Sequence, residues 1–444
     1  MATGRRRSKN SRLRAERQRK GWSQERLAQE LHFHCGRMVS PSTISRWENG
    51  GEVPKPLYRE LLCEIFDLDA YELGLVRPLV AEDTTLEDAP GTIIAAVREV
   101  LEDWSHDMRR RELLRLMGVG GAALALPIDD PARLAWTTKN AGKLDRRQLE
   151  DLQALTTSYG QMQDTVAPKA LIGPVSGHLE ELTTLLGTTQ PDFVRKQLYE
   201  IAGETAIISG WLSFHMDNRG DAREHFKVAE AAGRESGNGT LRAHALGARR
   251  ALHSAVPLGG HLGDTAQALA LMDEAKNHVG PASPAPLRAW LAACEAEEHA
   301  LAGDAKACQD SLERAEHATD EARPEQLVGR FRHWDHARLD GYRGLCHVLL
   351  RDASEAESVL NRALNGTDAG RFEHRSAVLT DLAAAYAQKG EPEQASRTAV
   401  EALEIAVDAG LATRVHRIRG VRKRLDPWKD LPEVVEFSDL IAAA

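Results

Sequence analysis

Five times in the second half of the chain a small residue is followed four positions later by an apolar, usually larger one, and three positions after that by alanine. The copies are Ala222/Phe226/Ala229, Ala268/Met272/Ala275, Cys308/Leu312/Ala315, Ala356/Leu360/Ala363 and Ala395/Ala399/Ala402. Spacings of four and three put all three residues on one face of a helix. In four copies turn residues stand five positions ahead of the small residue: Gly263-Asp264, Gly303-Asp304, Arg351-Asp352 and Gly390-Glu391; in the first, Gly220-Asp221 is only two ahead. A repeated helical face with a repeated turn predicts stacked helix pairs, in which small residues let two helices approach and the larger one fills the gap to the next pair. From about residue 145 the chain is rich in Ala, Leu and Glu with hardly any alternation of β-branched residues, so this part reads as all-α.

The pattern resembles tetratricopeptide (TPR) repeats, best in the last copy, where Leu379, Leu382, Ala383, Tyr386, Gly390, Ala395, Ala399 and Ala402 fall on that family's spacing. The final alanines are 46, 40, 48 and 39 residues apart, against about 34 in the family, so helices or loops are enlarged. The resemblance implies a TPR-like α-solenoid over 141–444.

Charge is divided unevenly along the 444 residues. Net charge is −9, yet residues 1–78 hold fifteen Lys and Arg against ten Asp and Glu, and nine of those bases lie within the first twenty positions. A basic head on an acidic body suggests that the head alone meets a polyanion.

Within that head, Asn10 or Ser11 caps a first helix with Leu13 on its apolar side and Arg12, Arg14, Arg17 and Arg19 elsewhere. Ser23 starts a second helix, with Leu27, Ala28 and Leu31 as its apolar face. A third has Ser40 as N-cap and Pro41 at its first position, and ends at Asn49-Gly50. Ile44 and Trp47, three apart, must face inward. Ser42, Thr43, Ser45 and Arg46 are left outward, where hydroxyls and a guanidinium can approach a base edge.

Trp22 to Ala28 followed by Ser42 to Gly50 resembles the Xre/Cro-type repressor domain, a five-helix helix-turn-helix unit reaching here to about Leu75. The resemblance implies that the third helix enters the major groove of double-stranded DNA and that Ser42, Thr43, Ser45 and Arg46 read bases. It implies that Gln24 holds a phosphate or supports the third helix, that Asn49 and Lys55 touch phosphate, and that Arg12 and the arm Arg5 to Lys9 add non-specific attraction. The alternative is a helix-turn-helix used for protein contact. Eight residues separate Leu31 from Ser40, more than the family usually has; either the second helix runs a turn longer, or His32, His34 and Cys35 serve another purpose. Three ligands within four residues cannot close a tetrahedral metal site, so no metal is expected.

Residues 79–140 read as an acidic hinge (79–90) and linker helices, the first spanning Thr92 to Met108. Arg109-Arg110-Arg111 before the apolar stretch Leu116 to Leu126 is similar in letters to a twin-arginine export signal, but follows a folded domain, so a packed helix is the expectation. Pro324 to Tyr342 gathers charged and aromatic residues between two repeats. Arg330, Trp334, Asp335, Arg338 and Tyr342 either line a concave ligand groove or form a helix interface with a solvated rim.

Catalysis is not expected: Gly118-Val119-Gly120-Gly121 lacks the context and lysine of a phosphate loop, no HExxH or GxSxG appears, and His253 and His261 read as packing or capping residues. No cofactor is implied. Five cysteines without CxxC spacing, no apolar stretch behind the basic start and none of membrane-spanning length point to a reducing cytoplasm. A basic Xre-like head on a TPR-like body resembles the regulators through which Gram-positive bacteria couple signals to transcription. That resemblance implies a homodimer, with a peptide, small molecule or protein partner held by the array; the competing expectation is a protein-interaction scaffold tethered by its head.

Overall fold

The computed structural model describes residues 11–19, 22–35, 39–49, 54–66, 73–75, 144–254 and 263–444. The arm Arg5 to Lys9, the hinge, the helix expected at Thr92 to Met108, the arginine-led segment after it and His261 lie outside the described residues, as do the side chains of 32–35. The chain divides into two compact units, Met1–Thr85 and Leu86–Ala444, and among the described residues both are helical without strands.

The head contains α1 (Ser11–Arg19), α2 (Gln24–Cys35), α3 (Pro41–Glu48) and α4 (Pro56–Phe66). Ser23 caps α2 by accepting the Arg26 N–H at 3.1 Å, and Ser40 caps α3 by accepting that of Thr43 at 3.2 Å, with Pro41 at the first helical position. Leu13, Leu27, Leu31, Ile44 and Leu62 are completely buried and form the centre of its core, with Trp47 and Phe66 against them. The wide interval after Leu31 is taken up as one more turn of α2, which runs to Cys35. The fifth helix expected before Leu75 falls largely outside the described residues, of which Leu73 to Leu75 form a turn.

The second unit runs through α5 (Arg146–Met162), α6 (Pro168–Leu186), α7 (Asp192–His215), α8 (Arg219–Ser236), α9 (Gly239–Arg250), α10 (Thr265–Lys276), α11 (Ala285–Leu301) and α12 (Ala305–Asp320). Short 3-10 turns at Pro324–Gln326 and Gly329–Phe331 lead into α13 (His336–Leu349), α14 (Ala353–Asn365), α15 (Phe372–Lys389), α16 (Pro392–Asp408), α17 (Ala412–Arg424) and α18 (Pro432–Ala443). The five residue triples fall on α8, α10, α12, α14 and α16, each the second helix of a pair, and every member is at most 3% exposed. Phe226 packs where a side chain at Gly210 would stand, and Leu360 does the same over Gly344, so in these two copies the larger residue needs a glycine on the preceding helix.

Four of the turns between paired helices share one device. A residue in the left-handed region stands five before the small residue: Gly303 (φ 77°), Arg351 (φ 66°) and Gly390 (φ 78°). Asp304 and Asp352 then cap the next helix by accepting the N–H of Ala307 (2.9 Å) and Glu355 (3.4 Å). In the first copy Asp217 (φ 60°) fills that place, so its turn is Asp217-Asn218, not the Gly220-Asp221 that composition suggested.

The first helices of the pairs do more than stack in a row. Each of α7, α9, α11, α13, α15 and α17 touches the next, and α17 touches α7, closing a ring of six helices. His416 on α17 meets Asp217 at the end of α7 at 3.0 Å.

Candidate functional site

In the head, one buried charge cluster fixes α3. Arg17 grips both oxygens of Glu48 (Nε to Oε1 2.6 Å, Nη2 to Oε2 3.1 Å) and donates from Nη1 to the Trp22 carbonyl at 2.6 Å. Gln24 donates from Nε2 to Glu48 Oε2 at 2.8 Å. Arg17 is therefore not on the solvated side of α1 with its neighbours: it follows Leu13 by one turn and is 7% exposed. Its hydrogen bond with Glu48 raises its pKa further, against the opposing effect of burial. Sequence reasoning missed this pair because it set Arg17 with the other arginines away from the apolar side of the first helix and gave Glu48 no role.

Behind the exposed side of α3, Ile44 and Trp47 are buried and the Trp47 ring meets Tyr58 of α4 at 5.5 Å. Ser42, Arg46 and Asn49 are exposed, and Thr43 and Ser45 half-buried. These side chains hold one another in place: Arg46 Nη2 donates to Thr43 Oγ1 at 3.1 Å, the Ser40 hydroxyl lies 2.8 Å from that of Ser42, and Asn49 Nδ2 donates to the Ser45 carbonyl at 2.8 Å. Lys55 is exposed at the start of α4, where its carbonyl accepts the N–H of Tyr58 and Arg59, and Arg12 is half-buried on α1. The result is a polar helix face of short hydroxyls and one guanidinium, with a lysine at a neighbouring helix start. Such a face can hydrogen-bond base edges and phosphate oxygens.

In the second unit the ring of helices lines a partly open cavity of about 160 Å3. Every ring helix contributes to its wall, including Trp211 and His215 from α7, Arg250 from α9, Glu297 from α11, Glu373 from α15 and Arg414 from α17. The turn Gly329–Phe331 reaches across to α5, so closely that a Cβ at Gly160 would lie 2.8 Å from the Arg330 nitrogen. This places Arg330 in the wall, together with Arg338 and Tyr342. Trp334 stands in a small adjoining pocket, 6% exposed, its indole N–H donated to Thr319 at 3.1 Å. Asp335 caps α13 by accepting the Arg338 N–H at 2.7 Å and pairs with Arg371 at 3.2 Å.

Carboxylates and guanidiniums alternate round the wall. Arg338 meets Asp164 (3.1 Å) and Glu373 (3.5 Å), Arg414 meets Glu373 (2.5 Å), Arg250 meets Glu297 (2.8 Å) and, behind it, Glu298 (2.8 Å), and Arg417 meets Asp381. Burial works against the Glu373 charge, but Arg414 and Arg338 overcome it and hold this carboxyl well below the usual range. Burial keeps His215 neutral, with a pKa pushed down to about 4. Of these wall residues the sequence pointed only to the 330–342 segment, because the others come from five separate helices and the turn after α5.

No group of His, Cys, Asp and Glu able to hold a metal is found among the described residues, and none of their helices is long and apolar enough to cross a membrane. No curated protein matches the chain. Residues 11–74 match a family model described as a helix-turn-helix domain, which is the part of the chain built from α1 to α4 around the Arg17–Glu48 pair.

Proposed function

We propose that the chain is a sequence-specific DNA-binding transcriptional regulator of the Xre type, whose TPR-like helical body dimerises and senses a ligand. The observation that carries this reading is the outward face of α3. Ser42, Thr43, Ser45 and Arg46 stand on the side away from Ile44 and Trp47, on a helix braced from behind by Arg17 and Gln24. Ser42, Thr43, Ser45 and Arg46 read base edges in the major groove, while Asn49, Lys55 and Arg12 hold phosphates. One such helix covers only a half-site, so two heads in a homodimer bind a pseudo-palindrome. The chain acts by binding and not by catalysis, in the cytoplasm where its DNA is.

The test is a selection from random duplex DNA with the full-length protein at physiological salt, repeated with Arg46→Ala. A symmetric enriched motif whose preference relaxes at one position in the variant is the expected result, costing about 1–3 kcal/mol there. An unenriched pool for the intact protein, or equal losses on all sequences in the variant, overturns sequence reading by this face.

A further inference from the structure

Arg330 is the one wall arginine whose charge nothing pairs among the described residues. Its guanidinium carbon lies 4.3 Å from the centre of the Trp211 ring and 5.0 Å from that of Trp290, and the two ring centres are 6.5 Å apart, so aromatic surface meets the cation from two adjacent sides and leaves the others to the cavity. None of its N–H groups has a hydrogen-bond partner among the described residues, whereas Arg250, Arg338, Arg414 and Arg417 are each committed to a carboxylate. Aromatic rings stabilise the charge but are no substitute for an oxygen acceptor, so the five N–H donors of the guanidinium fork remain unmet. A second donor stands nearby. The Tyr342 hydroxyl oxygen accepts the Trp290 indole N–H at 3.2 Å, and its own O–H has no acceptor among the described residues.

We infer that the cavity is a binding site for a small monocarboxylate with an apolar body, held by the edge of Arg330 and the hydroxyl of Tyr342. The inference rests on the reading of the helical body as the sensing part and gives its ligand a chemical class. One unmet planar fork matches one carboxylate in the two-point manner of a guanidinium–carboxylate pair. A dianion such as a phosphate monoester brings a second charge that no unpaired cation on the wall meets. A volume of about 160 Å3 is close to that which takes up a single benzene ring, and this sets the size of the ligand's apolar body. Trp211, Phe214, Leu345 and Val378 supply the apolar surface for the body of the ligand.

The experiment is calorimetric titration of the full-length protein with benzoate, and with benzamide and phenyl phosphate as neutral and dianionic counterparts. Arg330→Gln, Tyr342→Phe and the cavity-filling Ala377→Phe are titrated alongside, each checked for an unchanged helical spectrum. Benzoate should bind the intact protein at least about tenfold more tightly than either counterpart. Arg330→Gln should abolish the preference for acid over amide, Tyr342→Phe should weaken benzoate by several-fold, and Ala377→Phe should remove binding with Arg330 still present. Absence of benzoate binding at millimolar concentration, a preference for phenyl phosphate, or an acid preference that survives Arg330→Gln overturns the inference. Binding of an operator duplex is measured in parallel: benzoate that binds through Arg330 yet leaves DNA affinity unchanged upholds the site and overturns the sensing reading instead.

Discussion

Arg17 and Glu48, thirty-one residues apart in the chain, meet through two hydrogen bonds with their side chains only 8% and 2% exposed. The pair ties the end of α1 to the last turn of α3, and Gln24 joins it from the first turn of α2. The helix that carries the outward polar face is thus oriented by charge as well as by the apolar contacts of Ile44 and Trp47. Removing one partner leaves the other charge buried and unmet, whereas removing both does not.

Arg17→Met should therefore destabilise the head by about 3–5 kcal/mol, and Arg17→Met combined with Glu48→Leu should recover most of the loss. Hydrogen exchange of the α2 and α3 amides in the full-length chain measures both. Equal protection in the single variant and the intact protein would count against the role of the pair.

The Phe226 ring occupies the space of a Cβ at Gly210. Gly210→Ala should cost about 1–3 kcal/mol through overpacking, although alanine favours the helix more than glycine does. Phe226→Leu introduced into that variant should restore part of the stability, giving a coupling energy in urea denaturation. Simple additivity of the two changes would show that the contact is looser than described.

Arg351 holds a left-handed conformation, φ 66°, at the position filled by Gly303 and Gly390 in other turns. Arg351→Gly should relieve about 1 kcal/mol of backbone strain and raise the thermal midpoint, with Gly303→Ala lowering it by a similar amount. An unchanged or lower midpoint for Arg351→Gly would show that the arginine side chain contributes more than its backbone costs.

Burial lowers the pKa of His178 to about 4, of His215 to about 4 and of His244 to about 3. Unfolded, each titrates near 6.5, so below that pH the unfolded chain takes up protons that the folded one refuses. Stability must fall as pH drops from about 6.5 toward 4, by about 2 kcal/mol per histidine at pH 5. His244 lies between Trp290 (5.3 Å) and Phe331 (5.2 Å), so His244→Phe keeps the aromatic packing and should remove one histidine's share of the dependence, to which His225 and His374, also lowered by burial, contribute as well. Denaturation midpoints from pH 7 to 5 for both proteins decide this; parallel curves would argue against it.

Sequence alone determined what depends on neighbours within a turn or two. Ser40 with Pro41, and Asp304 and Asp352 as caps, are local hydrogen-bonding devices, and the five buried triples are a local periodicity, so each could be read without knowing the fold. The outward place of Ser42 and Arg46 followed from the inward place of Ile44 and Trp47 in the same way. Tertiary structure alone decided which charges leave water. Nothing local separates Arg17 from Arg14, or Arg338 from any other helical arginine; only when Asp164 arrives from 174 residues away does Arg338 become part of an interior wall. The closing of the row of helices into a ring, sealed where His416 reaches Asp217, is likewise a sum of small rotations between successive pairs. A local pattern fixes that helices stack, but the accumulated angle that brings α17 back to α7, and with it the cavity around Arg330, exists only in the assembled array.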